Sequence, residues 1–165
     1  MQLPKIGRLW KAKRAGLFGS GYAGFGLTQG NTVLTFRHRL TWMDVDYARV
    51  AHYLRYNVWV DDAFHGYLFE RGFHIKEFME QGYGLPYVSN SCRYFRALTL
   101  EDEVEIQLTV TDLDENGFTL RYRIMKAGAV AAEGDVVRRC VQQAPPRSVE
   151  MPQALRQPLR AIAEA

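Results

Sequence analysis

From Thr32 onward the chain alternates strictly, with Leu34, Phe36, His38, Leu40 and Trp42 on one side and Val33, Thr35, Arg37, Arg39 and Thr41 on the other. Successive side chains of an extended strand point to opposite faces, so this period of two predicts a half-buried β-strand. The period then changes. Between about residues 51 and 72, Tyr53, Tyr56, Val60, Phe64, Tyr67 and Leu68 recur mainly at steps of three and four with no proline among them, which predicts an amphipathic helix stopped by Gly72. A shorter helical piece, IKEFMEQG, ends at Gly82 or Gly84, and Pro86 prevents it from resuming.

Everything after that reads as sheet. Residues 87–95 form one predicted strand; Val104, Ile106, Leu108 and Val110 alternate in the next, and Phe118, Leu120, Tyr122 and Ile124 in the one after. The turn residues at 114–117 join the last two as a hairpin, and a second reversal at 126–129 leads into a final strand over 130–141. Its Glu133, Asp135, Arg138 and Arg139 mark a solvated side or an edge. Residues 15–30 hold six glycines without a phosphate-loop pattern and read as an irregular lead-in. The tail, with Pro145, Pro146, Pro152 and Pro158, is expected to be mostly extended, with one short helix at 153–163. The order strand, long helix, four antiparallel strands gives an α+β architecture in which a curved antiparallel sheet wraps one long central helix. Open sheet edges need cover, which a second copy would supply. The expected organisation is a basic, glycine-rich arm at 1–30, a domain at 31–143 and a proline-containing tail at 144–165.

At 165 residues the chain is long enough to bury one real core. With 47% hydrophobic and 24% charged residues it reads as a soluble globular protein, and no apolar run approaches the roughly 20 residues that cross a bilayer. Cys92 and Cys140 fall in predicted strands without metal-ligand spacing, so free thiols in a reducing cytoplasm are expected. The start of the chain lacks the apolar core and cleavage site of a secretory signal and is read as part of the mature protein. The net charge is only +3, yet Lys5, Arg8, Lys11, Lys13, Arg14, Arg37 and Arg39 all precede the first acid, Asp44. A basic N-terminal third either faces an anionic partner or is a solvated arm. Its aromatics Trp10, Phe18, Tyr22 and Phe25 either pack onto the domain or make peripheral membrane contact. Nucleic acid is not expected as a partner, since no binding motif accompanies these charges.

The segment TWMDVDYARVAHYLRY concentrates two carboxylates, two arginines and a histidine where the first strand meets the long helix. Asp44 and Asp46 lie two apart and would face the same way in an extended chain. A carboxylate beside a helix N-terminus suits attack on a carbonyl, because free backbone N–H groups there can hold a developing oxyanion. The competing reading is that one of these acids merely caps the helix.

Residues 42–72 resemble the signature region of the 4-hydroxybenzoyl-CoA thioesterase family, a D-x-D followed by an aromatic-rich helix with a Y-x-x-W-x-D/E core. The matching pieces are Asp44-Val45-Asp46, Val50, Tyr56, Trp59 and Asp61, with LFERGF closing the helix. The resemblance extends over about residues 32–142 and implies a hotdog fold and hydrolysis of an acyl-CoA or acyl-carrier-protein thioester. It implies Asp46 as the catalytic carboxylate, the Tyr53 N–H as the group that polarises the thioester carbonyl, and dimers, or dimers of dimers, with the substrate at the subunit interface. Coenzyme A then enters as part of the substrate, and no metal or redox cofactor is implied. His52 is a candidate acid/base partner, and Arg49, Tyr56 and Trp59 are candidate substrate-binding residues.

Three departures from the family pattern stand out. Arg49 occupies the position of the family glycine, where it either binds an anionic group of the substrate or pairs with Asp46 and silences it. Arg55 replaces the asparagine before the helix tyrosine. The turn at 112–117, basic in some members, is acidic here, which leaves Arg93, Arg96, Lys126 or the N-terminal arm to hold phosphates. Asp61 is the reserve catalytic acid, because some relatives carry their acid on this helix. Ser89 and Ser91 lack a nucleophile elbow, and His38, His65 and His74 lack ligand spacing. The runner-up function is a hotdog protein that binds acyl-CoA or acyl carrier protein without turnover. A third is a lipid-handling protein held at a membrane by its arm.

Overall fold

The structure is a computed structural model that describes residues 22–27, as backbone, and residues 33–163. The basic and aromatic residues singled out before residue 22, and the side chains of Tyr22 and Phe25, lie outside the described residues.

The alternating stretch forms strand β2, Leu34–Arg39. It is paired on one side by β1, Tyr22–Leu27, and on the other by β6, Glu103–Leu113. Strand β1 corrects the irregular lead-in: part of the glycine-rich stretch extends the sheet as an antiparallel neighbour of β2. Beyond β6 come β7, Gly117–Lys126, and β8, Ala129–Arg139; two short strands, β4, Tyr87–Asn90, and β5, Arg93–Tyr94, both pair with β8. The sheet runs β1-β2-β6-β7-β8-β4, and every pairing in it is antiparallel.

Register explains why the alternation was readable. Leu34 faces Leu108 and Phe36 faces Ile106 across β2 and β6; Ile106 faces Ile124 and Val110 faces Leu120 across β6 and β7. Apolar positions therefore line up in rows on one face, and α1, Tyr53–Glu70, covers that face. Tyr56, Trp59, Val60, Ala63, Phe64, Tyr67 and Leu68 form its buried stripe, the three- and four-residue spacing of a single helix face.

Other expectations need correcting. The final strand is not an edge, since β8 lies between β7 and β4, and the short β4 is the edge instead. Arg138, expected on a solvated side, is only 4% exposed. Its Nη2 donates to Asp61 Oδ1, its Nη1 donates to the Leu85 carbonyl, and its guanidinium lies over the Tyr87 ring, 4.3 Å from the centroid. The single strand over 87–95 is broken into β4 and β5. Gly134 of β8 allows this, because a Cβ there would meet the Ser91 carbonyl oxygen at 1.9 Å.

The short helix expected at 153–163 is present, and the residues before it, expected to be extended, form strands of a small sheet. Strands β9, Val141–Gln143, and β10, Pro146–Ser148, form a small sheet with β3, Tyr83–Gly84. Helix α2, Ile75–Glu80, matches the IKEFMEQG reading. Helix α3, Gln153–Ala161, buries Leu155 and Leu159 against the core, accepts the Tyr67 hydroxyl at the Pro158 carbonyl, and is followed by Ile162, whose carbonyl accepts the Val110 N–H. No helix among the described residues is long and apolar enough to cross a membrane.

Candidate active site

The connection between β2 and α1 is organised around Asp44, whose side chain is only 1% exposed. Its Oδ2 accepts the Thr41 N–H at 2.6 Å and the Thr41 hydroxyl at 2.8 Å, and its Oδ1 accepts Trp59 Nε1 at 2.8 Å and Arg55 Nε at 3.0 Å. His38 Nε2 lies 3.3 Å from Oδ2. Burial pushes the carboxyl pKa up, but the hydrogen bonds from Thr41, Trp59 and Arg55 outweigh it and hold the pKa at about 2. Asp44 is therefore an ionised anchor that ties the end of β2 to the first turns of α1. Trp42, expected on the inner face, is 80% exposed, because the chain leaves the strand and turns so that Asp44 points inward instead.

Asp46 has a different environment. It stands at the head of a tight loop in which its Oδ1 accepts the Ala48 N–H at 2.8 Å, its backbone N–H donates to the Val50 carbonyl, and its carbonyl accepts the Arg49 N–H. The carboxylate is partly exposed, and no ion pair joins it to Arg49 among the described residues. Position 49 sits at φ 64, in the left-handed region that favours glycine, which accounts for the family residue there by backbone geometry alone.

Helix α1 begins immediately after this loop. His52 is its N-cap and accepts the Leu54 N–H at Nδ1, 3.3 Å away, while its ring lies 4.5 Å from that of Tyr53. Its backbone N–H donates to the Asp44 carbonyl, and the Ala51 N–H donates to the Leu98 carbonyl. The Tyr53 N–H has no acceptor among the described residues, as expected for the first residue of a helix.

A cleft of about 360 Å³ opens at this helix start. Val50, Tyr53 and Tyr56 line one wall and Tyr94, Phe95 and Arg96 the other. The Tyr56 and Tyr94 rings meet edge to face at 5.0 Å. Size and lining fit a small organic group held by aromatic surfaces.

The structure thus brings Asp46, His52, Tyr53 and Tyr56 to one end of α1, with Tyr53 and Tyr56 in the cleft wall. Arg49 sits on the same loop as Asp46, and neither it, Asp46 nor His52 lines the cleft, while Trp59 lies in the core. Trp59 is 1% exposed, bonded to Asp44, and so a core residue rather than a substrate contact; Arg49 is exposed on the loop and is not part of the cleft wall. Asp61 is held by Arg138 and by the Tyr87 hydroxyl, which donates to it at 2.6 Å, and this ties it to the edge strand. Lys126 is engaged by Asp102 at 2.5 Å. The Asp44 knot was not foreseen; its sequence signals are Thr41 three residues before the acid, and Arg55 and Trp59 one turn apart on the helix that follows. The Tyr94–Phe95 wall was hidden inside a stretch read as ordinary strand.

A long helix packed on one face of an antiparallel sheet in this order is the hotdog fold, and residues 40–159 match the sequence profile of the thioesterase-like superfamily. The chain belongs to that superfamily. It is 27% identical over 114 residues to a 1,4-dihydroxy-2-naphthoyl-CoA hydrolase of Microcystis aeruginosa, which covers 68% of this chain and 83% of that protein. Among solved structures, a gentisyl-coenzyme A thioesterase superposes with a TM-score of 0.68 at 27% identity, over 76% of this chain and 98% of the other. A 1,4-dihydroxy-2-naphthoyl-CoA thioesterase from Synechocystis shares the fold, with a TM-score of 0.74 at 19% identity over 78% and 96% of the two chains. The family and these named relatives bear out the expected thioester hydrolase class.

Proposed function

We propose that this chain hydrolyses an acyl-CoA or acyl-carrier-protein thioester, with Asp46 as general base or nucleophile and the Tyr53 N–H as oxyanion donor. In the base route, Asp46 takes a proton from water as its oxygen bonds to the thioester carbon. The carbonyl oxygen gains charge and is met by the free N–H at the start of α1. The C–S bond then breaks, and the thiolate leaves and is protonated, with His52 the nearest candidate donor in sequence. One observation supports the reading: a single loop, pinned by Asp44, joins a carboxylate without an ion pair among the described residues to a helix-start N–H without an acceptor among them, and Tyr53, which carries that N–H, lines the aromatic cleft. The test is thiol release from short, long and aromatic acyl-CoAs by the native protein and Asp46→Asn. A loss of kcat by about 100-fold or more with unchanged thermal stability is expected. Turnover that survives in the variant refutes the assignment.

The active assembly is proposed to be a dimer, or a dimer of dimers, with the substrate between subunits. Support comes from edge strand β4, all four residues of which are exposed and which among the described residues has a strand neighbour only in β8. The free thiols of Cys92 and Cys140 support a cytoplasmic setting. The runner-up, a binding protein without turnover, is favoured by the bond from the Ala48 N–H to Asp46, which a purely turn-forming aspartate would also accept.

A further inference from the structure

The sequence offers His52 as an acid/base partner, but the hydrogen bonds at the start of α1 give it another task. Its Nδ1 accepts the Leu54 N–H at 3.3 Å. A backbone N–H only donates, so Nδ1 carries no proton in this arrangement and the neutral ring holds its proton on Nε2. Neither nitrogen is then free for proton transfer. Nε2 has no lone pair with which to act as a base. The imidazolium that could act as an acid needs a second proton on Nδ1, where it would face the Leu54 N–H and break the cap.

The same residue decides which donor of the helix start stays open. The helix begins with the N–H groups of Tyr53, Leu54 and Arg55. The Leu54 N–H goes to the His52 ring, and the Arg55 N–H goes to the His52 carbonyl at 2.8 Å. The Tyr53 N–H, which precedes them, has no acceptor among the described residues. His52 is itself held, since its own N–H donates to the Asp44 carbonyl at 2.8 Å. Its ring lies 4.5 Å from the Tyr53 ring at an interplanar angle of 30°, and Tyr53 lines the cleft. One residue therefore engages the two neighbouring donors and packs against the aromatic side chain beside the open one.

We infer that His52 is a positioning residue and neither a proton donor nor a base: as a neutral N-cap it fixes the first turn of α1 and with it the Tyr53 N–H. The inference rests on the proposed thioester hydrolysis, with that N–H as oxyanion donor, and narrows it. The protons balance without His52. The proton that Asp46 takes from water as the C–O bond forms is the one that joins the thiolate when the C–S bond breaks, giving a carboxylic acid and a thiol.

The experiment uses one acyl group that the native protein turns over, carried on N-acetylcysteamine, whose thiolate is basic, and on 4-nitrothiophenol, whose thiolate leaves without a proton. The proteins are the native chain, His52→Ala and His52→Asn, because asparagine caps a helix through its side-chain oxygen and does not titrate. His52→Ala is expected to lose about 10-fold in kcat on both thioesters, the effect of a loosened oxyanion donor, and His52→Asn to recover most of that loss on both. Three results overturn the inference: no loss in His52→Ala, no recovery in His52→Asn, or a loss confined to the N-acetylcysteamine thioester, which makes His52 the proton donor. If the native protein turns over no thioester, the hydrolase reading fails by itself, and nitrogen-15 NMR of the native imidazole at about pH 8 decides the cap. An unprotonated Nδ1, with Leu54 amide exchange about 2- to 30-fold slower than in His52→Ala, upholds it. A protonated Nδ1, or exchange that His52→Ala leaves unchanged, sinks it. The position of the ring proton decides alone if His52→Ala does not fold.

Discussion

Replacing Asp44 by asparagine keeps the shape of the side chain and removes its charge, which isolates what the buried carboxylate does. In the native protein four hydrogen bonds from Thr41, Trp59 and Arg55 converge on it, at 2.6 to 3.0 Å. An asparagine retains one acceptor oxygen and turns an NH₂ group toward the donors of the other side, while Arg55 loses its counter-charge. The expected cost at pH 7 is about 2–4 kcal/mol, or roughly 5–15 °C in Tm for a chain of this size. The pH dependence supplies an independent check. The folded pKa of Asp44, about 2, lies below the ordinary 3.8, so the folded state binds fewer protons than the unfolded state as pH falls. Its contribution is fully present above about pH 5 and amounts to roughly 2.5 kcal/mol, of which about 1 kcal/mol is lost by pH 3 and the rest as pH falls through 2. The assay is urea unfolding followed by tryptophan fluorescence, with Trp59 as the probe inside the knot, from pH 7 to pH 3. The native protein should lose its lead over Asp44→Asn by about 1 kcal/mol across that range. A constant gap between the two proteins, or a gap below about 0.5 kcal/mol at pH 7, would refute the anchoring role.

Two further substitutions probe the frame of the site. Gly134→Ala would drive a methyl into the Ser91 carbonyl and the Tyr122 hydroxyl, and it should cost at least about 2–3 kcal/mol in urea unfolding and raise hydrogen exchange in β4 and β5; a near-neutral result would mean that the close approach at Ser91 relaxes freely. Arg49→Gly relieves a left-handed residue in the loop of Asp46 and should raise stability by up to about 1 kcal/mol after the entropy cost of glycine; measured destabilisation would show that the Arg49 side chain supports the loop.

The sequence was most legible where burial is one-sided. The rows through Leu34, Phe36, Ile106, Leu108 and Ile124 follow from alternation alone, and the stripe from Tyr56 to Leu68 from helical spacing, because each apolar side chain there meets only the core. Legibility failed where a polar residue finds a partner far along the chain. Arg138 looked like a solvent-facing charge, since nothing local reveals that Asp61 and the Tyr87 ring lie against it. Asp44 and Asp46 looked like a pair on one extended face, and the turn after β2 instead sends the first inward and leaves the second at the surface. Strand β1 was hidden because glycine and alanine carry no amphipathic signal, and its partner is chosen by the register of β2. In the candidate site, Asp46, His52 and Tyr53 were proposed from the strand-to-helix junction and the family resemblance, and Tyr53 lines the cleft, whereas the Tyr94 and Phe95 wall emerges only once β5 is folded back along β8.

The division of labour between the two aspartates has an evolutionary consequence. The residue that fixes the loop is buried and Asp46 is partly exposed, so under the proposed assignment a mutation at position 46 would alter the chemistry while leaving the scaffold that presents it standing. Descendants of such a protein can lose turnover, or gain a different reaction, in a single step without first risking collapse. A lineage built on the proposed assignment could hold binders and catalysts side by side, with the buried acid at position 44 keeping the loop in place in both.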